Sequence, residues 1–337
     1  MTARPANGGI FPLDNQLGLN ATVYSPQMGE KMVWLGGLAP YEQCEAVFKE
    51  IGERFVPASS IWRQTQRHGE RLQMHVEQQR LPVRIERVVL PDSIHDHDQR
   101  KAVSLDGGMM NIRGEGWREL KVGAVFDIET RWERNPQTQE LDEMAHGVNV
   151  HYTAVLGSQE AFTPAWWALA VEQDVPTARE RAVVGDGAAW VWNVAEDVCP
   201  DGCQIVDWFH AVQHLTDAAT ALYPDEKDSP KRQRWLKTYT DHLYMGRIHK
   251  ITATLYQHDH ADLAGYFENH QRRMQYLEFR EEGFPIGSGT VESGVKQFKH
   301  RLTGPGMRWN AANANRMLVI RAAVLGNDFH DLWQQAA

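Results

Sequence analysis

Apolar positions recur along the chain first at helical spacing, then at strand spacing, then at helical spacing again. Over Tyr41–Glu50 and just beyond, Cys44, Val47, Phe48 and Ile51 fall at i, i+3, i+4 and i+7, one helical face that Gly52 should stop. Pro57, then Ser59 or Ser60 as an N-cap, opens a second helix. Its inward residues are Ile61, His68 and Leu72, and Arg63, Gln64 and Arg67 share the exposed face. Two helices with a short connection predict a helix-turn-helix-like region whose second helix would enter a major groove. The same pairing also occurs in bundles that read no DNA.

The texture changes at Lys101. Ala102, Val103, Ser104 and Leu105 read as a buried strand ending in Asp106, with Gly107 and Gly108 as the turn. Residues 120–128 and 148–156 also read as extended, and 161–172, with Trp166 and Trp167, as helical. A short strand over 181–185 runs into Asp186, and another over 204–207 precedes a helix carrying His210 and His214. The pattern predicts an α/β fold with a mixed sheet. Residues 216–282 have few β-branched runs and many charged, aromatic and His residues at helical spacing, so an all-helical insertion is expected there. The expected division is an N-terminal helical, DNA-binding region (1–100), the first part of the core (101–215), the insertion (216–283) and the rest of the core (284–337).

Composition narrows the class. A chain of 337 residues, 42% hydrophobic, can bury a sizeable core in two or three folding units. The most apolar run, 161–171, is interrupted by Pro164 and falls short of the roughly 18 residues of a membrane span. Residues 1–9 lack the apolar core of a signal peptide, so a soluble, cytoplasmic protein with no membrane partner is expected. Cys44, Cys199 and Cys203 are too few for a disulfide framework and suit a reducing compartment. The net charge of −9 argues globally against a nucleic-acid partner. Locally the balance reverses: over residues 285–325 Lys296, Lys299, Arg301, Arg308, Arg316 and Arg321 face the single acid Glu292.

Asp106 and Asp186 each follow an apolar strand and precede Gly, which puts a carboxylate where a backbone can turn and a ligand can approach. Glu292 lies in the first turn of a helix opened by Gly287, Ser288 and Gly289, where an acid suits the positive helix end. On that helix Glu292, Lys296, Lys299 and Thr303 form one stripe, and Val291, Val295, Phe298 and Leu302 form the apolar stripe that would pack on a sheet. Carboxylates are the hard ligands that Mg²⁺ or Mn²⁺ prefers, and three can support two ions flanking one scissile phosphate. The lysines would hold the DNA backbone beside them. An Asp before Gly is more often a plain turn residue, and spacing alone does not bring the three acids together.

Five segments carry a resemblance: 104–108 (SLDGG), 117–125 (WRELKVGAV), 184–187 (VGDG), 207–215 (DWFHAVQHL) and 287–310 (GSGTVESGVKQFKHRLTGPGMRWN). Together they closely resemble insertion-sequence transposases of the ISKra family, relatives of the Mutator-like transposases, over about residue 18 to the C-terminus. The resemblance implies a ribonuclease-H-like core with Asp106, Asp186 and Glu292 as the metal-binding triad and a helical insertion between the second Asp and the Glu. It implies two Mg²⁺ or Mn²⁺ ions, cleavage at inverted terminal repeats, joining of the freed ends to target DNA, and a homo-oligomer on double-stranded DNA. Mutator-like enzymes carry an Asp or Cys three residues before a His, which Asp207 and His210 match. His210 is therefore expected to assist at the scissile phosphate or leaving group, or else to be a structural helix-start histidine. Arg308 and Trp309 match the last segment; Arg308 is expected at DNA, and Trp309 at DNA or in the core. The DNA-contacting set is thus Arg63, Gln64, Arg67, Lys296, Lys299, Arg301 and Arg308.

Two other readings compete. A truncated or domesticated transposase would bind DNA without cutting it. A glycine-rich phosphate cradle at 287–289 would bind a nucleotide, but it lacks the Gly-Lys-Ser or Gly-Lys-Thr ending of a P-loop.

Overall fold

The structure is a computed structural model that describes residues 24–80, 99–224, 229–287, 289–304 and 306–336. Three helices come first. Ser25 caps α1 (Pro26–Leu38) by accepting the Met28 N–H at 3.3 Å, with Pro26 in the first position, where its missing N–H costs nothing. In α2 (Tyr41–Glu50) only Cys44 is fully buried, against Met32, Val56 and Ile61, with Phe48 half-buried beside it. Val47 and Ile51 face solvent, Ile51 at 80% exposure, so the expected apolar face of this helix is only half used. The long α3 (Ala58–Arg80) buries Ile61 and Leu72 completely and half-buries His68, as the spacing predicts.

The sheet follows. β1 (Arg100–Ile112), β2 (Gly116–Arg134) and β3 (Leu141–Leu156) form an antiparallel meander. α4 (Gln159–Glu172) then crosses to β4 (Glu180–Gly185), which pairs parallel to β1, and α5 (Ala189–Val198) crosses to β5 (Cys203–Val206), parallel to β4. The strand order is β3-β2-β1-β4-β5, a five-stranded mixed sheet in an α/β chain. Trp166 of α4 is fully buried and sits on β2 where Gly123 leaves room: a Cβ there would stand 2.5 Å from Trp166 Cε3.

Helices dominate the remainder. These are α6 (Trp208–Leu222), α7 (Pro230–Tyr244), α8 (Ile248–Gln257), α9 (Ala261–Asn269) and α10 (Tyr276–Glu281). No strand occurs among the described residues of 216–282, which agrees with a helical insertion. The chain ends in α11 (Gly289–Leu302), α12 (Ala311–Leu325) and α13 (Phe329–Gln335).

The N-terminal helices do not stand apart. α12 packs on β3 and also on α1 and α3, and Val33 and Leu72 join the same continuous core as the sheet. Gly37 makes the approach close, since a Cβ on it would lie 2.8 Å from Ile320 Cγ2. Two buried arginines bind the carbonyls that α1 leaves open at its C-terminal end: Arg301 Nε donates to Gly36 O at 2.9 Å and Arg321 Nη1 to Gly37 O at 2.8 Å. Among the described residues no helix is long and apolar enough to cross a membrane.

Candidate active site

Pairing of β1 with β4 runs in parallel register up to Leu105 opposite Gly185. The next residue on each strand is an aspartate, so Asp106 and Asp186 stand level on neighbours about 4.8 Å apart. One strand further out, Val206 pairs with Gly185, which brings Asp207 to the same level at the end of β5.

Asp186 lies just past the end of β4, as the sequence predicts, with Oδ1 accepting the Ala188 N–H at 2.9 Å. Asp106 does not end its strand. β1 continues through Gly107 and Gly108 to Ile112, because β2 supplies a ladder partner for each of them. The Asp106 Oδ1 accepts the Gly107 N–H at 2.6 Å. For neither aspartate is a hydrogen bond to Oδ2 seen among the described residues. Burial pushes the Asp106 carboxyl above its ordinary value and the charge of Asp186 adds to this, while the Gly107 N–H, Lys299 and His210 oppose it.

Lys299 reaches this place from α11. A Cβ on Gly108 would lie 2.7 Å from Lys299 Cε and 3.3 Å from Nζ, so the glycine there gives clearance for the lysine rather than a turn. Phe298 and Leu302 of the same helix are buried, as their apolar stripe requires, and Phe298 meets Tyr152 of β3 edge to face at 6.0 Å. Glu292 falls in the first turn of α11; its side chain, with those of Val291 and Val295, lies outside the described residues. The approach to that turn is fixed by a backbone bond, Trp208 N–H to Ile286 O at 2.9 Å, which ties it to the residue after Asp207.

Asp207 is 1% exposed and caps α6: its Oδ1 takes the His210 N–H at 3.0 Å and lies 3.2 Å from His210 Nδ1. The bond to Asp207 raises the imidazole's pKa against desolvation, with further support from the charges of Asp207, Asp186 and Asp106. Nδ1 is thereby occupied, and the ring is 41% exposed, which leaves Nε2 as its free edge.

The insertion contributes a wall that the sequence reading did not pick out. Gly187, at φ +98°, passes under α9: His270 Nε2 and Tyr266 Oη would lie 3.3 and 3.4 Å from a Cβ placed on it. His214 stacks on Tyr266 with ring centroids 3.6 Å apart. Burial lowers the pKa of both His214 and His270 and raises that of Tyr266, so the wall presents neutral groups beside Asp186. No spacing rule links 187, 214, 266 and 270, and only the folded chain brings them together.

The expected DNA contacts divide. Arg63 and Arg67 are exposed on α3, Lys296 is exposed, Lys299 is partly so, and Arg308 is exposed. Gln64 is not: at 9% exposure it belongs to the inward stripe with Ile61, Thr65, His68 and Leu72, and it leaves the DNA-facing set. Arg301 is also corrected. It is 2% exposed, its guanidinium is committed to Gly36 O, and it packs over the Tyr41 ring at 4.9 Å. Trp309 is core, buried at 6% with Nε1 donating to Leu302 O at 2.9 Å.

Two adjacent carboxylates with an open oxygen each form a donor set of the kind a hard divalent cation takes. No group of three metal-binding side chains occurs among the described residues, from which the Glu292 side chain is left out. No family model matches the chain, and no curated protein matches it.

Proposed function

We propose that this chain is a DNA transposase of the acidic-triad type, catalysing metal-dependent strand cleavage and strand transfer at the ends of an insertion sequence. The observation that carries the reading is the level pair Asp106 and Asp186 on adjacent parallel strands, with Lys299 and His210 in their field. A meander of three antiparallel strands followed by two parallel crossovers is compatible with the ribonuclease-H-like core implied by the resemblance.

In this reading Asp106, Asp186 and Glu292 hold Mg²⁺ or Mn²⁺. When bound, the ions would activate the attacking water or 3′-hydroxyl and offset charge on the leaving oxygen. Lys299 holds the DNA backbone next to Asp106. Asp207 fixes His210 by Nδ1, so that Nε2, with its proton affinity raised, can give a proton to the leaving oxygen. The helix-end location of Asp207 leaves it a positioning group rather than a ligand.

The test is cleavage of a labelled duplex bearing the ends of the encoding element, with Mg²⁺ or Mn²⁺, by the wild type, Asp186→Asn and Glu292→Gln. Nicks at the repeat boundary that vanish in both variants support the reading. Binding without cutting by all three proteins would overturn it in favour of a non-cutting DNA-binding descendant.

A further inference from the structure

A second cleft opens beside Lys299. It encloses about 480 Å³ between α11 and the corner that joins α1 to α2. Lys296, Lys299, His300 and Thr303 line one wall, and Pro40 and Gln43 line the other. Among the described residues no carboxylate lines it, and Glu42, the acid in the first turn of α2, is not part of the wall.

We propose that this cleft binds the sugar-phosphate backbone of the nucleic acid, on the nucleotides next to the phosphate held at Asp106 and Asp186. The inference rests on the function proposed above and assigns the path of the strand. Lys299 belongs to both places, since its ammonium lies over Gly108, two residues from Asp106 and on the same face of β1. From there Lys299 lies three residues and His300 four residues beyond Lys296, so the donors advance by about 5.4 Å per helical turn, on the scale of successive phosphates. Thr303, whose hydroxyl donates to Lys299 O at 2.8 Å, only lines the wall. Opposite them, α2 begins just after Pro40, which gives it no side-chain cap. Its first N–H groups and the positive end of its dipole therefore add to the attraction, and the Gln43 carboxamide supplies a neutral donor.

The walls are fixed in advance of any ligand. Arg301 and Arg321 bind Gly36 O and Gly37 O at the end of α1, and Arg321 Nη2 also donates to Gln297 O of α11 at 3.2 Å. The corner is thus tied to the lysine-bearing helix by buried bonds, and a strand entering the cleft finds its donors already spaced. In this arrangement the N-terminal helices serve DNA through the α1–α2 corner rather than through the outer face of α3.

The experiment is binding of a short labelled duplex of arbitrary sequence in EDTA, where no cutting can occur, as a function of salt. Gln43→Glu places a carboxylate in the cleft at an exposed, first-turn position where an acid favours the helix, so the fold is kept. It is expected to weaken binding about tenfold. Gln257→Glu, the same charge change on the remote end of α8, is expected to leave binding within about twofold. Lys296→Gln is expected to reduce the slope of log affinity against log salt by about 1. Equal affinity and equal slope for the wild type and Gln43→Glu would overturn the inference, as would a wild type that retains no duplex. Cleavage with metal is scored separately, so a protein that binds through this cleft but never cuts would sink the catalytic reading and leave this one standing.

Discussion

Asp106 and Asp186 stand level on neighbouring strands because Leu105 and Gly185 form the last rung of the parallel ladder between them. Bringing two carboxylates this close in a partly buried site costs folding free energy. The raised pKa of Asp106, with burial its largest cause, reports that cost. A carboxyl whose pKa rises on folding loses stability as the pH climbs through the folded value. Asp106→Asn removes the charge at neutral pH and is expected to stabilise the metal-free protein by about 1 kcal/mol while abolishing nicking. Thermal melts in EDTA check this, and an unchanged or lowered melting temperature would count against a folding cost from burying the Asp106 charge.

His210 is expected to titrate above its ordinary value, since its bond to Asp207 favours the imidazolium. The contribution of that pair to stability is complete below the unfolded pKa and fades as the pH rises through the folded one. Asp207→Asn should lower the His210 pKa, seen by NMR, while its amide oxygen keeps the cap of α6, since Asn and Asp cap helices about equally well. On the proposed function, His210→Ala should slow cleavage by about 100-fold, the usual scale for loss of a general acid. An unshifted His210 titration in Asp207→Asn would separate the two residues.

Acid should loosen the N-terminal helices. Burial, with Arg71 and Arg67 adding their charges, pushes His68 down to about 4, and its ring lies 4.6 Å from that of Trp333. Below about pH 6.5 the unfolded chain takes up a proton that the folded one refuses, so stability falls as the pH drops toward the folded value. The expected loss between pH 7 and pH 5 is about 2 kcal/mol. His68→Phe, which keeps a ring against Trp333, should remove that component, and urea melts at the two pH values decide.

Gly123→Ala is expected to destabilise by about 3 kcal/mol, because the added methyl meets Trp166 at 2.5 Å and Phe162 at 3.0 Å in a filled core. Gly123 pairs with Leu105, so the strain falls one residue from Asp106. A neutral result in a denaturant melt would show that α4 can retreat from the sheet.

Much of this arrangement was legible in the residues. The runs before Asp106 and Asp186, the helix beginning near Asp207 and the helical insertion follow from apolar and β-branched patterning. The continuation of β1 past Asp106 was not, because Gly107 and Gly108 carry the local signature of a turn and only the pairing with β2 overrides it. Gln64 was misread for a different reason: its spacing from Ile61 and His68 already put it inward, and its polarity obscured that. Arg301 gave no local warning, since its acceptor, Gly36 O, is 265 residues away. The wall of His214, Tyr266 and His270 is a product of tertiary packing alone.

The bonds from Arg301 and Arg321 to the end of α1 bear on how such a chain can change over time. A recognition module joined by a loose tether can be exchanged between genes at little cost. Here a crossover between α3 and β1 would remove the acceptors of two buried guanidinium groups and unseat α12 from its glycine contact. The head and the helix that carries Lys296 and Lys299 must therefore be inherited together, and variation in the head has to arise by point substitution rather than by swapping parts.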